Sequence, residues 1–341
     1  MGKTKFAVWT LSIFAGLALC LALFSGCEDS NITTATPDIL TQQIRALPVN
    51  QSFRLNIPTY EGSNQAVHPD ILMASGSKNQ LEAASFVLAF TPYPNSNDHF
   101  ENPSVLTSTD GVNFGGPALE LNPLSERPAG GHNDDPDIIY NPASQRYFLY
   151  YLETCRPDSQ NVILLTSSDL TNWDKRTVLH YTQSIFEQQR VFMLSPSVIR
   201  NEEGTWFMYY VNCRKYTIEY LTSSDGVHWD SAVVFNPAVS RMNFQPWHID
   251  VFRGNDYYYA LVNGTRRDPN LHLARSEDLI HWEFSGQPLL TPQNCGLSCD
   301  WIYRTSGLEI DGTLYLYYSY RYDNRKWGIG LYKKPLGEIA F

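Results

Sequence analysis

The chain has 341 residues, with 25 lysines and arginines against 35 aspartates and glutamates, a formal net charge of −10. That balance excludes a nucleic-acid partner, which would favour a basic face. Its 21 tyrosines, 17 phenylalanines and 8 tryptophans, broken up by 20 prolines and 21 glycines, exclude a disordered chain and fit a turn-rich β protein.

Residues 1–27 read as an address label. Lys3 and Lys5 open it, Phe6 to Phe24 is an almost uncharged apolar run, and Phe24-Ser25-Gly26-Cys27 closes it with small residues before a cysteine. The run is about long enough to span a membrane, so a transmembrane anchor is the rival reading. The Ser-Gly-Cys ending resembles the lipobox of bacterial lipoproteins. That resemblance implies cleavage before Cys27, lipidation of its sulfur and a protein tethered by acyl chains in the cell envelope, facing an extracytoplasmic space. Residues 28–47 are rich in Ser, Thr, Asn, Gln and Pro and read as a flexible linker, leaving residues 48–341 for one large domain.

Within that domain one phrase returns four times. Ser108-Thr109-Asp110-Gly111-Val112-Asn113-Phe114 recurs as Ser167-Ser168-Asp169-Leu170-Thr171-Asn172-Trp173. It recurs again as Ser223-Ser224-Asp225-Gly226-Val227-His228-Trp229 and as Ser276-Glu277-Asp278-Leu279-Ile280-His281-Trp282. A repeat of this length is one supersecondary unit that buries its faces only against its neighbours. Each unit opens on a short apolar strand, continues through an aromatic strand such as Tyr147 to Leu152 and a third strand such as Val162 to Thr166, and ends on the Ser-x-Asp turn. No convincing amphipathic helix follows residue 50. Strand openings at His68-Pro69-Asp70, Asp135-Pro136-Asp137, Ser195-Pro196-Ser197, His248-Ile249-Asp250 and Arg304-Thr305-Ser306 predict an all-β, five-bladed β-propeller. Phe53 to Ile57 is expected to close the ring as the outer strand of the fifth blade. The repeated Asp is read as capping its own turn and the aromatic as a wedge between blades, a structural device.

The chemistry is expected on the innermost strands, whose alternation puts residues two apart on one side. The upper tier is His68, Asp135, Ser195, His248 and Arg304; the lower is Asp70, Asp137, Ser197, Asp250 and Ser306. So many ionisable groups at a channel mouth suit acid–base work, although they also suit a merely hydrated polar channel. The loops between second and third strands open on the same face with Glu101, Glu153, Arg214, Arg266 and Arg321, and with aromatics that include Tyr93, Tyr303 and Trp327. Aromatic faces and polar groups suit sugars. The arginines suit an anionic glycan, or else pair with local carboxylates. Four cysteines lie beyond Cys27. Two disulfides, Cys155–Cys213 and Cys295–Cys299, are expected in an oxidising compartment; zinc is the alternative, without a supporting CxxC pair.

The five units, the Asp-Pro at an inner-strand start and the Ser-x-Asp-Leu-x-x-Trp turns resemble the five-bladed propeller glycosidases of families 43, 32, 117 and 130, over about residues 50–341. The resemblance implies an Asp base on the first blade, a pKa-tuning Asp on the second and a Glu acid on the third. Asp135 fits the second; the first blade offers His68 and Asp70, and the third offers Ser195 in place of the acid. Two carboxyls must flank a scissile glycosidic bond. Glu101 is therefore the expected acid, with Glu153 second, and Asp135 or Asp70 the base, with Asp137 raising its pKa by like charge. His68, Asp137, Ser195, His248, Arg304, Arg214, Arg266, Arg321 and Tyr93 are assigned to substrate. No cofactor is required; a structural Ca²⁺ near His248 is the metal considered. The expectation is a monomeric, exported glycoside hydrolase acting on a polysaccharide or oligosaccharide. A non-catalytic carbohydrate-binding lipoprotein, and a lyase or other hydrolase using the His and Arg residues, are the alternatives.

Overall fold

A computed structural model describes residues 42–73, 86–155, 159–182, 191–234 and 244–341. The leader, Cys27 and most of the expected linker lie outside the described residues. The described chain forms five small antiparallel sheets. Blade one is β2 (Ala66–Met73), β3 (Phe86–Pro92) and β4 (Ser104–Ser108). Blade two is β5 (Gly131–Asn141), β6 (Arg146–Cys155), β7 (Ser159–Ser167) and β8 (Asp174–Thr182). Blade three is β9 (Met193–Arg200), β10 (Trp206–Asn212), β11 (Thr217–Ser223) and β12 (Val233–Val234). Blade four is β13 (Pro246–Arg253), β14 (Tyr258–Gly264), β15 (Leu271–Ser276) and β16 (Glu283–Phe284). Blade five is β17 (Trp301–Ile310), β18 (Thr313–Tyr322) and β19 (Lys326–Pro335), completed by β1 (Ser52–Arg54) from the start of the domain. Ser52, Phe53 and Arg54 pair with Tyr332, Leu331 and Gly330, so the ring closes by the route expected from the sequence. The inner strands β2, β5, β9, β13 and β17 neighbour one another in a closed cycle.

Alternation along the second strand of each blade explains the packing. On β6, Phe148, Tyr150 and Leu152 enter the apolar layer shared with blade three, while Tyr147, Leu149 and Tyr151 enter the layer shared with blade one. Both faces are covered, so these strands read as unbroken apolar runs. The linker ends earlier than expected from its composition. Gln42–Ala46 form a short helix, α1, whose Ile44 is fully buried among Leu55, Ile57, Phe86 and Tyr317. Lys333 donates to the carbonyls of Arg45 and Leu47 at its end. One apolar residue with a matching socket outweighs the polar character of its neighbours.

The repeated turn is a frame element. Asp110 Oδ1 accepts from the amides of Val112 and Asn113 at 2.8 Å, and Asp169, Asp225 and Asp278 repeat the cap. The residue after each aspartate is left-handed: Gly111, Leu170, Gly226 and Leu279 have φ of 72, 60, 76 and 65°. That bend exposes a carbonyl to the adjacent blade. Tyr317 OH donates to Gly111 O at 2.6 Å, Tyr150 OH to Gly226 O at 2.7 Å, and Tyr209 OH to Leu279 O. Phe114, Trp229 and Trp282 set their rings edge-on against those same tyrosines.

At the axis the lower tier forms a second, complete ring of links. Asp70 accepts from Ile138 N (2.5 Å), Asp137 from Val198 N (3.0 Å), Ser197 from Val251 N (2.8 Å), Asp250 from Gly307 N (3.2 Å) and Ser306 from Ile71 N (3.1 Å). Every blade thus caps a backbone amide of the next. Asp70 and Asp137, expected as base and pKa tuner, are spent on this ring. The Ser197→Ala variant should lose about 1–3 kcal/mol of stability by leaving the buried Val251 amide unpaired, measured by urea unfolding. An unchanged midpoint would remove the ring from the account of stability.

Candidate active site

Above the ring, each inner strand breaks its register. Between Val67 and Asp70, Asp134 and Asp137, and Leu194 and Ser197 the inner strand carries two residues opposite one on its neighbour. Blades four and five insert one residue, Trp247 and Tyr303. These are β-bulges, which bend a strand and re-aim a side chain. In the first three blades the bulge has the same form: His68, Asp135 and Ser195 each precede proline and have φ of 54, 51 and 50°. Left-handed backbone is unfavourable for such residues, by about 1–3 kcal/mol each, and its threefold recurrence at one level marks a functional rim.

The side chains so placed meet around Asp135. Its Oδ2 accepts from Ser195 N at 2.9 Å, and its Oδ1 lies 3.1 Å from Arg304 Nη1, 3.3 Å from His248 Nδ1 and 3.5 Å from His68 Nε2. Ser195 Oγ is 2.6 Å from His248 Nδ1, and Arg304 Nη2 donates to Pro136 O. All five side chains are buried, Asp135 to 1 % and Arg304 to 0 %. Desolvation works against the charge of Asp135, yet the hydrogen bond with His248 and the always-protonated Arg304 outweigh it and hold the carboxyl well below the usual range. Burial pushes His68 down to about 3 despite the pull of Asp135, so its imidazole is neutral at physiological pH. The buried Nε2 atoms of His68 and His248 have no hydrogen-bond partner. Together with Asp135 these imidazoles offer three ligand atoms within 4.8 Å of one another. Two imidazole nitrogens and one carboxylate suit a borderline divalent transition ion better than the all-oxygen coordination of Ca²⁺.

Glu101 arrives from the loop after β3. Asn133 of β5 donates its amide to Glu101 O at 3.1 Å, and its side chain donates to Asn102 Oδ1 at 2.8 Å. These bonds carry the buried Glu101 carboxyl to 3.9 Å from His68 Nδ1. Glu101 and Asp135 therefore face different nitrogens of one imidazole, with the ring between them. Tyr303 covers this tier, its ring 4.4 Å from that of His248 and 5.4 Å from that of His68. Trp301, Trp327 and Tyr93 continue it as an aromatic wall, with centroid spacings of 4.7 Å (Trp301–Tyr303), 4.9 Å (Tyr303–Trp327) and 5.5 Å (Tyr93–Trp327).

Other expected residues lie elsewhere or are occupied. Glu153 accepts from Asn161 and Lys175 towards the outer strands. Arg321 forms a bidentate pair with Asp300 at 2.9 and 2.6 Å, and Arg325 donates to Asn95 O. Arg214 is exposed and stacks over Phe192, and Arg266 is exposed. Arg321 thus follows the local-pairing alternative, whereas Arg214 and Arg266 stay exposed. The four cysteines are thiols, with the sulfurs of Cys295 and Cys299 3.2 Å apart. Sequence reasoning missed His132 and Asp134, which precede Asp135 on β5, are joined at 3.0 Å and lie near Asp98. The run of four polar residues opening an otherwise apolar strand was the available signal. It also missed Trp301, which stands beside the expected aromatics.

The fold is thus a five-bladed propeller with buried ionisable side chains gathered at its axis. Residues 128–301, just over half of the chain, match the family described as the glycosyl hydrolases family 32 N-terminal domain, and the chain belongs to that family. It is 26% identical over 311 residues to an A type blood N-acetyl-alpha-D-galactosamine deacetylase of Flavonifractor plautii, covering 75% of this chain and 40% of that protein. It is 30% identical over 171 residues to a probable sucrose-6-phosphate hydrolase of Psychromonas ingrahamii, covering 46% and 30%. The chain therefore spans less than half the length of the curated relatives it matches. Its fold is similar to an N-acetylgalactosamine deacetylase from F. plautii in complex with blood group B trisaccharide, with a TM-score of 0.69, 22% identity and 82% and 94% of the two chains covered. It is also similar to a thermostable family-43 glycoside hydrolase, with a TM-score of 0.56, 14% identity and 79% and 88% covered.

Beneath the site, desolvation and then the charge of Asp70 raise Asp137 and Asp250 well above the usual carboxyl value. A raised folded-state pKa means stability is greatest in acid and is lost as pH rises through that pKa. Asp250→Asn keeps an acceptor for Gly307 N and carries no charge. It should be more stable than the parent by about 1 kcal/mol or more near pH 8, the worth of roughly one pKa unit. That gain should shrink towards pH 4 in thermal unfolding. A gain independent of pH would refute the assignment.

Proposed function

We propose that the protein is an exported carbohydrate hydrolase that cleaves a glycosidic bond over the upper tier, with Glu101 as the proton donor and Asp135 as the ionised carboxylate. The observation that carries the reading is the pairing itself: a carboxylate held charged by Arg304 and a second carboxyl across the His68 ring. A whole imidazole between the two belongs to the wider carboxyl spacing, about 6.5–9.5 Å, which admits a water molecule and inverts the anomeric centre. Glu101 then protonates the departing sugar oxygen while Asp135 takes a proton from the attacking water. Asp135 meets substrate only if the Tyr303 ring swings off the imidazoles. Trp301 and Tyr93, both partly exposed, supply faces for sugar rings, with the buried Trp327 behind them. The Asp300 carboxylate removes Arg321 from the groups that could read an anionic glycan. The basic, apolar, Ser-Gly-Cys order of the leader supports lipidation at Cys27 and a place in the cell envelope.

One observation favours a second reaction on the same frame. Blade three presents Ser195 where family 43 enzymes carry their acid, and two imidazoles flank Asp135. His68, Asp135 and His248 would hold a divalent ion, which lowers the pKa of a bound water, and the bond broken would be the N-acetyl amide of an amino sugar, as in the name of the deacetylase relative. In that reading Glu101 handles the water proton and Arg304 keeps Asp135 charged.

The two reactions separate by product. Chromatography of a panel of neutral and N-acetylated oligosaccharides after incubation with the full chain should show shortened sugars for the first and free acetate for the second. Glu101→Gln and Asp135→Asn should each lower the rate by about 10²-fold or more. A chelator should stop acetate release alone. Wild-type product formation that both variants retain would end the scheme, and binding without either product would return the chain to a carbohydrate-binding role.

A further inference from the structure

We propose that Cys295 and Cys299 form a disulfide and that this bond fastens one wall of the funnel. The two sulfurs already stand 3.2 Å apart, about 1.2 Å beyond a bonded pair. The chain turns tightly as it enters and leaves Cys295. Cys295 N donates to Thr291 O at 2.9 Å, Asn294 N to Thr291 O at 3.1 Å, and Leu297 N to the Cys295 sulfur at 3.4 Å. Cys295 is fully buried against Leu289, Leu290 and Ile302, whereas Cys299 is half-buried.

The position of the pair gives the bond its consequence. Cys299 is followed directly by Asp300, whose carboxylate grips Arg321 through two bonds and whose amide donates to Arg321 O. Arg321 lies over the rings of Trp301 and Trp327, at 5.6 and 6.0 Å. Trp301 donates from its indole to Gly264 O and packs against Tyr303, the residue that covers His68 and His248. A bond across residues 295–299 closes too short a loop to restrict the unfolded chain much. It instead fixes the point where the loop after β16 enters β17, and so the direction in which Trp301 leaves the backbone.

The chemistry is thiol–disulfide exchange with a small-molecule disulfide. Cys295 holds Cys299 in its protonated form, so the half-buried Cys299 attacks once the proton between the two sulfurs has passed to Cys295, breaking the S–S bond of the small molecule and releasing one thiol. The buried Cys295 thiolate then attacks the Cys299 sulfur of the mixed disulfide and releases the second thiol. Two protons leave the protein thiols, and the two electrons reduce the incoming disulfide.

The disulfide stands apart from the proposed reaction, while its effect on the wall rests on the funnel reading, and two readouts keep them separate. The full chain is equilibrated with excess oxidised glutathione or with dithiothreitol, alkylated and digested, and the peptide holding both cysteines is weighed. Oxidised protein should show both cysteines protected and the mass of an internal disulfide; alkylation of both after oxidation would overturn the bond. Amide hydrogen exchange of residues 300–304 and 320–322 should be about tenfold slower in the oxidised protein. A bond that forms without changing that exchange would overturn its role in the wall. The double variant Cys295→Ser, Cys299→Ser should exchange like the reduced protein in both buffers, which excludes a contribution from Cys155 and Cys213.

Discussion

The inner edge of a propeller is a problem of unpaired backbone. Five strands meet around an axis, each with one edge joined to its own blade and the other turned towards the channel, where no strand can pair with it. Here one side chain per blade meets that need: Asp70, Asp137, Ser197, Asp250 and Ser306 each hold an amide of the following blade. The solution places three carboxyls close together at the axis, away from water, and only two of the five positions are neutral serines. Burial drives those carboxyls towards their protonated forms, and the Arg304 charge from the tier above partly offsets the cost. Structure and chemistry are therefore joined through one arginine, which also holds Asp135 ionised.

Strand period and repeat length made the frame legible. The four Ser-x-Asp phrases announced five units, and simple alternation placed the two tiers correctly. The division of labour between the tiers was not legible, because it depends on contacts between distant parts of the chain, 53 residues apart for Ser197–Asp250, 61 for Asp137–Val198 and 235 for Ile71–Ser306. The bulges were equally hidden. His68-Pro69, Asp135-Pro136 and Ser195-Pro196 were visible as dipeptides, but the left-handed turn before each proline goes against the usual preference of a residue in that place.

Loop residues were the least readable. Glu101 and Glu153 looked alike as candidates, and neighbours decide between them. Asn133 ties the first to the wall of the channel, while Asn161 and Lys175 draw the second outwards. Arg321 likewise looked like a group for the ligand until Asp300, twenty-one residues earlier, was seen to take both its donors. Composition reports which charges a loop carries, and only the fold reports which of them are already matched.

The three X-Pro bulges share one backbone shape and carry three unlike side chains, an imidazole, a carboxylate and a hydroxyl. They act as identical mounts whose fittings can be exchanged. The strain, the proline and the links below belong to the mount, so replacing the fitting asks nothing new of the backbone. One frame can therefore pass between acid–base, metal-holding and purely binding arrangements by single substitutions at the rim, and the kinship of this chain with proteins named for different bond cleavages is the outcome such a construction permits.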